Sequence, residues 1–340
     1  MSSRRNFLKG AASSVGVTAA LAASVSSAAE SGNSHYTGVH KMPRDTKLVS
    51  IKNADGSETL GVVTDKGVID VRAACAKLRM HSPLTLDQLL QEGDADGLEK
   101  LVARAKTTGT ALVDEASIKH GRLFAKPGKI VCVGLNYRQH AKEIGMQAPR
   151  VPPLFSKYNN SLAAQNAVIE LPAKEISTKF DYETELLIVI GKRARNVNEA
   201  DALGYVAGYC TSNDFSARDL QLELPNGQWM IGKTLDNFAP IGPYFVSADM
   251  VGDPNKLKIE TWVNGELRQS SSTNDFIFNT QQMISYISKH WTLEPGDIIF
   301  TGTPQGVIAG YPKDKQVWLK AGDEIVSSIE KLGKLKFKLA

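Results

Sequence analysis

An uninterrupted apolar run, Leu186–Ile190, limits the folds open to this chain more than any other feature. A succession of large aliphatic residues that ends in three β-branched ones is typical of a strand buried on both faces. Such a strand needs packed layers on each side, so the run predicts a sheet at the centre of the molecule. Glu183 and Glu185 directly precede the run, and strand alternation places their side chains on one face.

A third carboxylate follows the next strand-like run. Asp214 comes shortly after the run 205–210 and can lie at the end of a neighbouring strand. Buried carboxylates are expected to be paired or to bind a cation. Glu183, Glu185 and Asp214, without Cys or His among them, suit Mg²⁺, with Mn²⁺ or Ca²⁺ as alternatives, and do not suit zinc. The competing interpretation is a solvated strand face that binds no ion.

Length and composition are those of a globular protein with more than one average domain. The chain has 340 residues, 42% of them hydrophobic and 22% charged, with a formal net charge of +4. This balance indicates no basic surface for nucleic acid. The three cysteines, Cys75, Cys132 and Cys210, lie far apart and indicate neither a zinc site nor a disulfide framework.

Residues 1–29 have the pattern of a twin-arginine signal peptide. The run Ser3–Lys9 contains Arg4 and Arg5, an uncharged Ala-rich stretch follows it, and small residues stand where a peptidase can cut. An uncleaved membrane anchor is the alternative, but the stretch is too short and too rich in Ala and Ser to span a bilayer well. We therefore expect cleavage, no stable membrane insertion, and export by the twin-arginine machinery to the periplasm or medium of a bacterium.

The segment after the signal predicts two further regions. Residues 30–45 are expected to be a flexible lead-in. Residues 46–120 alternate between short strand-like runs with Asp-Gly and Lys-Gly turns and then show leucines at helical spacing, which predicts a small α+β domain. A linker with Pro127-Gly128 ends this region.

Other candidate site residues have ordinary alternatives. His140 and Glu143 are spaced i,i+3, so the carboxylate can orient the imidazole, although a surface pair has the same spacing. Arg218 and Gln221 fall on one helical face beyond Asp214 and can reach one pocket. An arginine there clamps a substrate carboxylate or forms a structural salt bridge. Lys157 faces the substrate or is solvated.

Four motifs in order resemble the catalytic domain of the fumarylacetoacetate hydrolase family. They are DYETELLIVIGK, NDFSARDLQ, GQWMIGKTLDNFAPIGP and GDIIFTGTPQGV, within a match from about Lys129 to Phe337. The resemblance implies a catalytic domain over residues 127–340 with the family's mixed β-roll, α+β in class, preceded by a small N-terminal domain. It also implies a homodimer.

The resemblance assigns roles to individual residues. The positions matching Glu183, Glu185 and Asp214 ligate the metal in this family. The resemblance further implies three catalytic residues and four substrate-binding ones. The catalytic residues are His140 as general base, Glu143 as its support and Lys233 beside the metal; the substrate-binding residues are Arg218, Gln221, Thr303 and Lys157. For Thr303 a plain turn is the alternative.

The implied activity is metal-dependent hydrolysis of a C–C bond in a small 2,4-dioxo acid such as an acylpyruvate. In this expectation the metal holds the 2-oxo-carboxylate, Lys233 stabilises developing negative charge, and the His140–Glu143 pair activates water. Decarboxylation of an oxaloacetate-like acid, isomerisation of a hydroxy-diene-dioate and a ureidoglycolate-type lyase reaction are alternatives within the family. From a different class, the chain could be an exported protein that binds keto acids without turnover.

Overall fold

The computed structural model describes residues 39–224 and 227–340. The predicted signal peptide, residues 1–29, and most of the predicted lead-in lie outside the described residues. The described residues form one compact unit. In the described ranges, no helix combines the length and apolarity that crossing a membrane requires.

The described residues form nineteen β-strands, most of them short. The first ten are β1 (Lys47–Lys52), β2 (Glu58–Thr64), β3 (Gly67–Asp70), β4 (Leu112–Val113), β5 (Ile130–Val133), β6 (Leu154–Ser156), β7 (Leu162–Ala163), β8 (Ala167–Ile169), β9 (Phe180–Asp181) and β10 (Thr184–Ile190). The others are β11 (Val206–Asn213), β12 (Ser216–Ala217), β13 (Ala239–Pro240), β14 (Phe245–Ser247), β15 (Lys258–Val263), β16 (Glu266–Ser272), β17 (Ile298–Phe300), β18 (Glu324–Ile329) and β19 (Gly333–Leu339).

Seven α-helices connect these strands in the described part of the chain. They are α1 (Val71–Leu78), α2 (Leu86–Glu92), α3 (Ala95–Thr108), α4 (Arg138–Glu143), α5 (Met230–Lys233), α6 (Ala248–Val251) and α7 (Thr280–His290). A π-helical turn spans Asp219–Glu223. Short helices among many strands confirm the α+β class.

Two large sheets organise the fold. The first has ten strands in the order β4-β3-β2-β1-β14-β11-β10-β17-β5-β6, and the second has five in the order β16-β15-β18-β19-β8. The hairpin between β15 and β16 turns at Asn264-Gly265, where both residues have positive φ, as Asn-Gly turns of this type require. Two small ladders, β12-β9 and β13-β7, complete the pairing.

Strand β10 lies inside the ten-stranded sheet and is buried along its whole length. Leu187 and Val189 pack into one apolar cluster, while Leu186, Ile188 and Ile190 pack into another. Alternate residues of one strand point to opposite faces, so both faces of the sheet are covered. The interpretation of the apolar run as a doubly buried central strand is confirmed.

The N-terminal strands extend the same sheet. Strand β1 pairs with β14 through Lys47 and Leu48, and β2, β3 and β4 follow outward. Ahead of them, Lys41 forms a bridge with Asp94. The boundary of a separate domain at residue 120 stays a prediction, while backbone hydrogen bonding runs continuously from this region into the sheet that carries β10.

Asn136 does not cap the helix that contains His140. Helix α4 begins after Tyr137, which has no side-chain cap bond. Asn136 is instead fully buried, where its amide donates to the carbonyl of Thr301 at 2.8 Å and its carbonyl accepts from the Phe278 amide at 2.8 Å. Asn is common at N-caps and Asn136 stands just before the helix in the sequence, which predicts a cap there. That prediction is wrong because the side chain bonds instead to the backbone of Thr301 and Phe278, which are distant in the sequence.

Candidate active site

Glu183, Glu185 and Asp214 are buried side by side at the end of two central strands. Glu185 lies in β10, Glu183 directly precedes it, and Asp214 directly follows β11. In the antiparallel ladder Thr184 lies opposite Asn213, so the register brings these strand ends together. One oxygen of each carboxylate lies within 4.8 Å of those of the other two.

Two buried lysines bind the same carboxylates. The ammonium of Lys233, from α5, lies 2.8 Å from Asp214 Oδ2 and also pairs with Glu183. The ammonium of Lys157 lies 2.6 Å from Asp214 Oδ1. Burial lowers the pKa of Lys233, but the charges of Asp214 and Glu183 outweigh it and hold this pKa above its ordinary value. Lys233 is therefore a fixed positive charge inside the site.

Arg218 and Gln221 also come together at the site, next to Glu183. Arg218 Nη2 lies 2.8 Å from Glu183 Oε1 and 2.8 Å from Asp181 Oδ2, while Nη1 donates to Gln221 Oε1 at 2.9 Å. Burial raises the pKa of Glu183, yet Arg218 and Lys233 reverse that effect and bring it to about 2. The guanidinium thus serves the structural salt bridge, and its role as a substrate clamp stays a prediction.

Glu185 differs from its two neighbours because no cationic side chain in the described ranges forms an ion pair with it. Its Oε2 accepts the Gly302 amide at 2.8 Å. Burial first, and then the charges of Asp214 and Glu183, raise the pKa of Glu185 well above its ordinary value. A buried carboxylate that faces two others and lacks a cation is the kind of group that binding of a metal ion relieves.

His140 and Glu143 form the expected pair on α4. Nδ1 of His140 lies 3.0 Å from Glu143 Oε2, and both residues are largely shielded from water. A carboxylate only accepts, so Nδ1 carries a proton, and in the neutral imidazole Nε2 is then the nitrogen with the lone pair. Glu143 Oε1 accepts the Gly306 amide at 2.9 Å, which ties α4 to the loop after β17.

Gly310 is packed against this pair. A Cβ atom built on Gly310 would lie 2.5 Å from Glu143 Cδ, closer than real Cβ contacts. Glu143 is therefore held between a backbone donor at Gly306 and a backbone surface that only glycine leaves open.

Thr303 lies next to the strand that carries Glu185. Its hydroxyl donates to the Thr184 carbonyl at 3.0 Å and accepts from Gln269 Nε2 at 2.9 Å. Gln269 is fully buried and also donates to the Pro304 carbonyl at 2.8 Å. The hydroxyl is thus occupied by protein groups, and binding of a substrate carboxylate by Thr303 stays a prediction.

A cavity of about 270 Å³ joins these groups. The three carboxylates, His140, Arg218, Gln221, Lys233 and Thr303 line it, together with apolar side chains. Lys157 does not line it, since its buried ammonium is directed at Asp214. Eight of the ten predicted site residues therefore share one cavity, and the other two, Glu143 and Lys157, contact residues that line it.

Asp181 is a part of the site that the sequence analysis missed. It is fully buried and accepts from the amides of Ile308 at 2.9 Å and Ala309 at 3.0 Å while pairing with Arg218. It thereby links Arg218, and through it Glu183, to the loop after β17. The alternation Asp181, Glu183, Glu185 was the signal that could have found it.

Comparison with known proteins agrees with this geometry. The family described as "Fumarylacetoacetate (FAA) hydrolase C-terminal" matches residues 129–340. The chain belongs to the fumarylacetoacetate hydrolase family. Family relatives include a "Fumarylacetoacetate hydrolase domain-containing protein 2 homolog" from Dictyostelium discoideum, 43% identical over 82% of this chain and 92% of that protein. "Oxaloacetate tautomerase FAHD2B, mitochondrial" from Bos taurus is 41% identical over 78% of this chain and 82% of its own length.

Solved structures of family members share the fold. Fumarylacetoacetate hydrolase from Exiguobacterium antarcticum has a TM-score of 0.68 and 32% identity, covering 86% of this chain and 99% of that one. Maleylpyruvate hydrolase from Sphingobium sp. SYK-6, solved with manganese(II) ion and pyruvate, has a TM-score of 0.68 and 29% identity, covering 87% and 98%. A bound manganese ion in that relative and the buried triad here support a divalent metal.

The donor set of this chain fits such an ion. Three carboxylates and no sulfur or imidazole ligand are the oxygen donors that Mg²⁺ and Mn²⁺ prefer. Glu185 offers an oxygen beyond the one that Gly302 holds, while burial and the charges of Asp214 and Glu183 raise its pKa.

Proposed function

We propose that this chain is a divalent-metal-dependent hydrolase that cleaves the C3–C4 bond of an acylpyruvate. The observation that carries the proposal is the hydrogen-bonded His140–Glu143 pair, whose imidazole lines the same cavity as the carboxylate triad. A 2-oxo acid held at the triad would occupy that cavity. A base that can activate water there is what hydrolysis adds to binding.

The triad Glu183, Glu185 and Asp214 would hold the ion, which when bound supplies positive charge that polarises the 2-oxo-carboxylate. Lys233 adds a fixed positive charge beside them, available to negative charge that develops on the C2 oxygen. Gly302 and Arg218 keep Glu185 and Glu183 in place through a backbone amide and an ion pair.

His140 performs the proton transfers. Nε2 takes a proton from water while the hydroxyl bonds to C4, and Glu143 stabilises the imidazolium that results. When the C3–C4 bond breaks, its electron pair stays with the pyruvate half, and C3 then receives the proton from Nε2. The products are a carboxylic acid and pyruvate, so the atoms of one water molecule are accounted for.

Oxaloacetate tautomerisation is the second candidate. It is favoured by the name of the Bos taurus relative, which shares 41% identity with this chain. That reaction needs the same hold on a 2-oxo acid and a base that moves one proton at C3, but no attack by water. His140 can provide this base, so the two candidates differ in whether water enters the product.

The test is turnover by residues 30–340, the form expected after signal cleavage, of acetylpyruvate, oxaloacetate and a hydroxy-diene-dioate, with Mg²⁺, with Mn²⁺ and with a chelator. We expect metal-dependent release of pyruvate and acetate from acetylpyruvate, with one oxygen of H₂¹⁸O in the acetate. Metal-dependent enol–keto conversion of oxaloacetate without cleavage of acetylpyruvate would establish the second candidate. Metal-dependent binding of these acids with no turnover would refute both and favour a keto-acid-binding protein.

Export to the periplasm or medium and assembly as a homodimer accompany this proposal as predictions from the sequence. Cell fractionation of a strain that expresses the full chain tests the first. Light scattering of the purified protein tests the second.

A further inference from the structure

We infer that Gln269 is a positioning residue for the metal site and sets the affinity of the carboxylate triad for a divalent ion, although it does not line the cavity. Gln269 lies in β16 of the five-stranded sheet and is fully buried. Glu183 and Glu185 flank Thr184, the first residue of β10 in the other large sheet. The inference rests on the metal of the proposed function and not on the reaction.

Gln269 belongs to a row of polar side chains that crosses the five-stranded sheet. The register places Gln269 opposite Thr261 and Thr261 opposite Ser327, and all three are fully buried. The Thr184 hydroxyl of the other sheet donates to Ser327 Oγ at 2.7 Å. Polar side chains at fully buried positions are stable only when they are hydrogen-bonded, so the partners of this row identify what it holds in place.

The side-chain amide of Gln269 makes four hydrogen bonds, the full capacity of a carboxamide. Its Oε1 accepts from Thr261 Oγ1 at 2.7 Å and from the backbone amide of Thr184 at 3.3 Å. Its Nε2 donates to Thr303 Oγ1 at 2.9 Å and to the Pro304 carbonyl at 2.8 Å. A backbone amide only donates and a carbonyl only accepts, so these partners fix the orientation of the carboxamide.

Gln269 holds the backbone of the residue between the two glutamates. The ladder between β10 and β17 covers Leu187–Val189 and ends before Thr184. Beyond that end, the Thr184 amide donates to Gln269, and the Thr184 carbonyl accepts from the Thr303 hydroxyl at 3.0 Å. Gln269 also binds that hydroxyl. Both peptide groups that join Thr184 to the two glutamates are therefore held by this one side chain, directly or through Thr303.

Gln269 also holds the loop that contacts Glu185. Thr303 and Pro304 directly follow Gly302, whose amide donates to Glu185 Oε2 at 2.8 Å. Because Gln269 Nε2 binds both the Thr303 hydroxyl and the Pro304 carbonyl, it fixes this loop against the strand that carries Glu185. Removal of a group that orients metal ligands typically lowers metal affinity ten- to a hundredfold.

Gln269→Met tests the inference, because methionine has a similar length and shape but cannot form these four hydrogen bonds. Calorimetry with Mn²⁺ on the metal-free protein, at a temperature where circular dichroism shows the variant to be folded, should give a Kd about ten- to a hundredfold above that of the natural protein. No substrate is present in this measurement, so its result does not depend on which reaction the site performs.

Thr273→Val is the matched control for the loss of buried hydrogen bonds. Thr273 is fully buried just beyond the end of β16, where its hydroxyl donates to the Pro254 carbonyl at 2.8 Å and accepts the Leu257 amide at 2.9 Å. None of these three residues lines the cavity. Thr273→Val should lower Tm and leave the Kd for Mn²⁺ unchanged, which is also the result that a merely structural role would give for Gln269→Met.

Thr303→Val and Thr303→Ser test the same link independently, including the case in which Gln269→Met does not fold. Valine lacks the hydroxyl that joins Gln269 to the Thr184 carbonyl, whereas serine keeps it. Since the net contribution of one hydrogen bond corresponds to about a two- to tenfold change in an equilibrium constant, Thr303→Val should raise the Kd for Mn²⁺ by about that factor. Thr303→Ser should leave it unchanged.

Three results would overturn the inference and leave the hydrolase proposal standing: an unchanged Kd in folded Gln269→Met, an equal rise of Kd in Thr273→Val, or equal values in Thr303→Val and Thr303→Ser. Absence of Mn²⁺ binding by the natural protein would overturn both. If the Kd values respond as expected but acylpyruvates are not cleaved, the inference stands and the hydrolase proposal fails.

Discussion

The two halves of the active site are built in different ways. The carboxylate half stands at the ends of β10 and β11, inside a sheet that is buried on both faces. The base half stands on α4, a helix of six residues without a side-chain cap, which the loop after β17 holds through the amide of Gly306. The three carboxylates thus stand at strand ends, and the proposed base stands on a short helix.

This difference predicts that substitutions in the two halves impair different properties, metal binding in one and proton transfer in the other. Loss of a carboxylate should remove metal binding and activity together. Loss of the base should remove activity alone. A movement of α4 should lower the rate without affecting the metal.

Glu185→Ala should have the largest effect. It removes the ligand that no cation pairs with and leaves two carboxylates that are already engaged by Lys157, Arg218 and Lys233. Because the charge supplied by the ion is worth several kcal/mol, kcat/KM should fall roughly 10⁴-fold. Calorimetry with Mn²⁺ should show no binding.

The matched control is Glu175→Gln, at an exposed position outside the cavity, which should bind Mn²⁺ normally. Retention of stoichiometric Mn²⁺ by Glu185→Ala would contradict the assignment of the triad.

His140→Ala should lower kcat by about 10²–10⁴-fold, the contribution typical of a general base. Affinity for Mn²⁺ should not change, because His140 contacts Glu143 and none of the three carboxylates. Single-turnover kinetics together with Mn²⁺ calorimetry measures both quantities.

Lys142→Ala is the control on the same helix, at an exposed position. An unchanged rate in His140→Ala would show that the base lies elsewhere.

The carboxylate half could be predicted from the sequence. Glu183 and Glu185 stand two residues apart at the start of an apolar strand, and this spacing alone places both side chains on one face. The contacts of Asn136, Asp181 and Gln269 could not. Each of these side chains bonds to segments more than thirty residues away, and which distant backbone competes for an amide or carboxylate is decided by packing. The role of Lys157 could not be predicted either, because its ion pair with Asp214 depends on the packing that buries both side chains.

Gly310→Ala should disturb the base half without removing any functional group. The added methyl group displaces the Glu143 carboxylate and with it the orientation of His140. Misplacement of a catalytic group by about 1 Å can cost up to about a hundredfold, so we expect kcat to fall roughly ten- to a hundredfold while Mn²⁺ affinity stays constant. Stopped-flow measurement of kcat beside calorimetry separates the two effects.

The shorter acid in Glu143→Asp should partly restore kcat in the double variant with Gly310→Ala, because it withdraws the carboxylate from the new methyl group. Gly204→Ala is the control, since a Cβ there meets no atom within 4 Å. Additive losses in the double variant would show that the two residues do not act through their contact.

The smallest effect concerns the stability of the metal-free protein. Burial and the charges of Asp214 and Glu183 raise the pKa of Glu185 above its ordinary value near 4.5. A carboxyl with a raised folded-state pKa stabilises the fold fully below its unfolded-state pKa, and this stability is lost as pH rises through the folded-state pKa. Glu183 does not contribute in this window, because its pKa is about 2 and it stays ionised.

In the presence of a chelator, Tm should therefore fall by a few degrees more between about pH 5.5 and about pH 8 in the natural protein than in Glu185→Gln. Equal decreases of Tm in both proteins would mean that the negative charge of Glu185 is already compensated without a metal. The carboxylate half would then have no uncompensated charge to distinguish it from the base half.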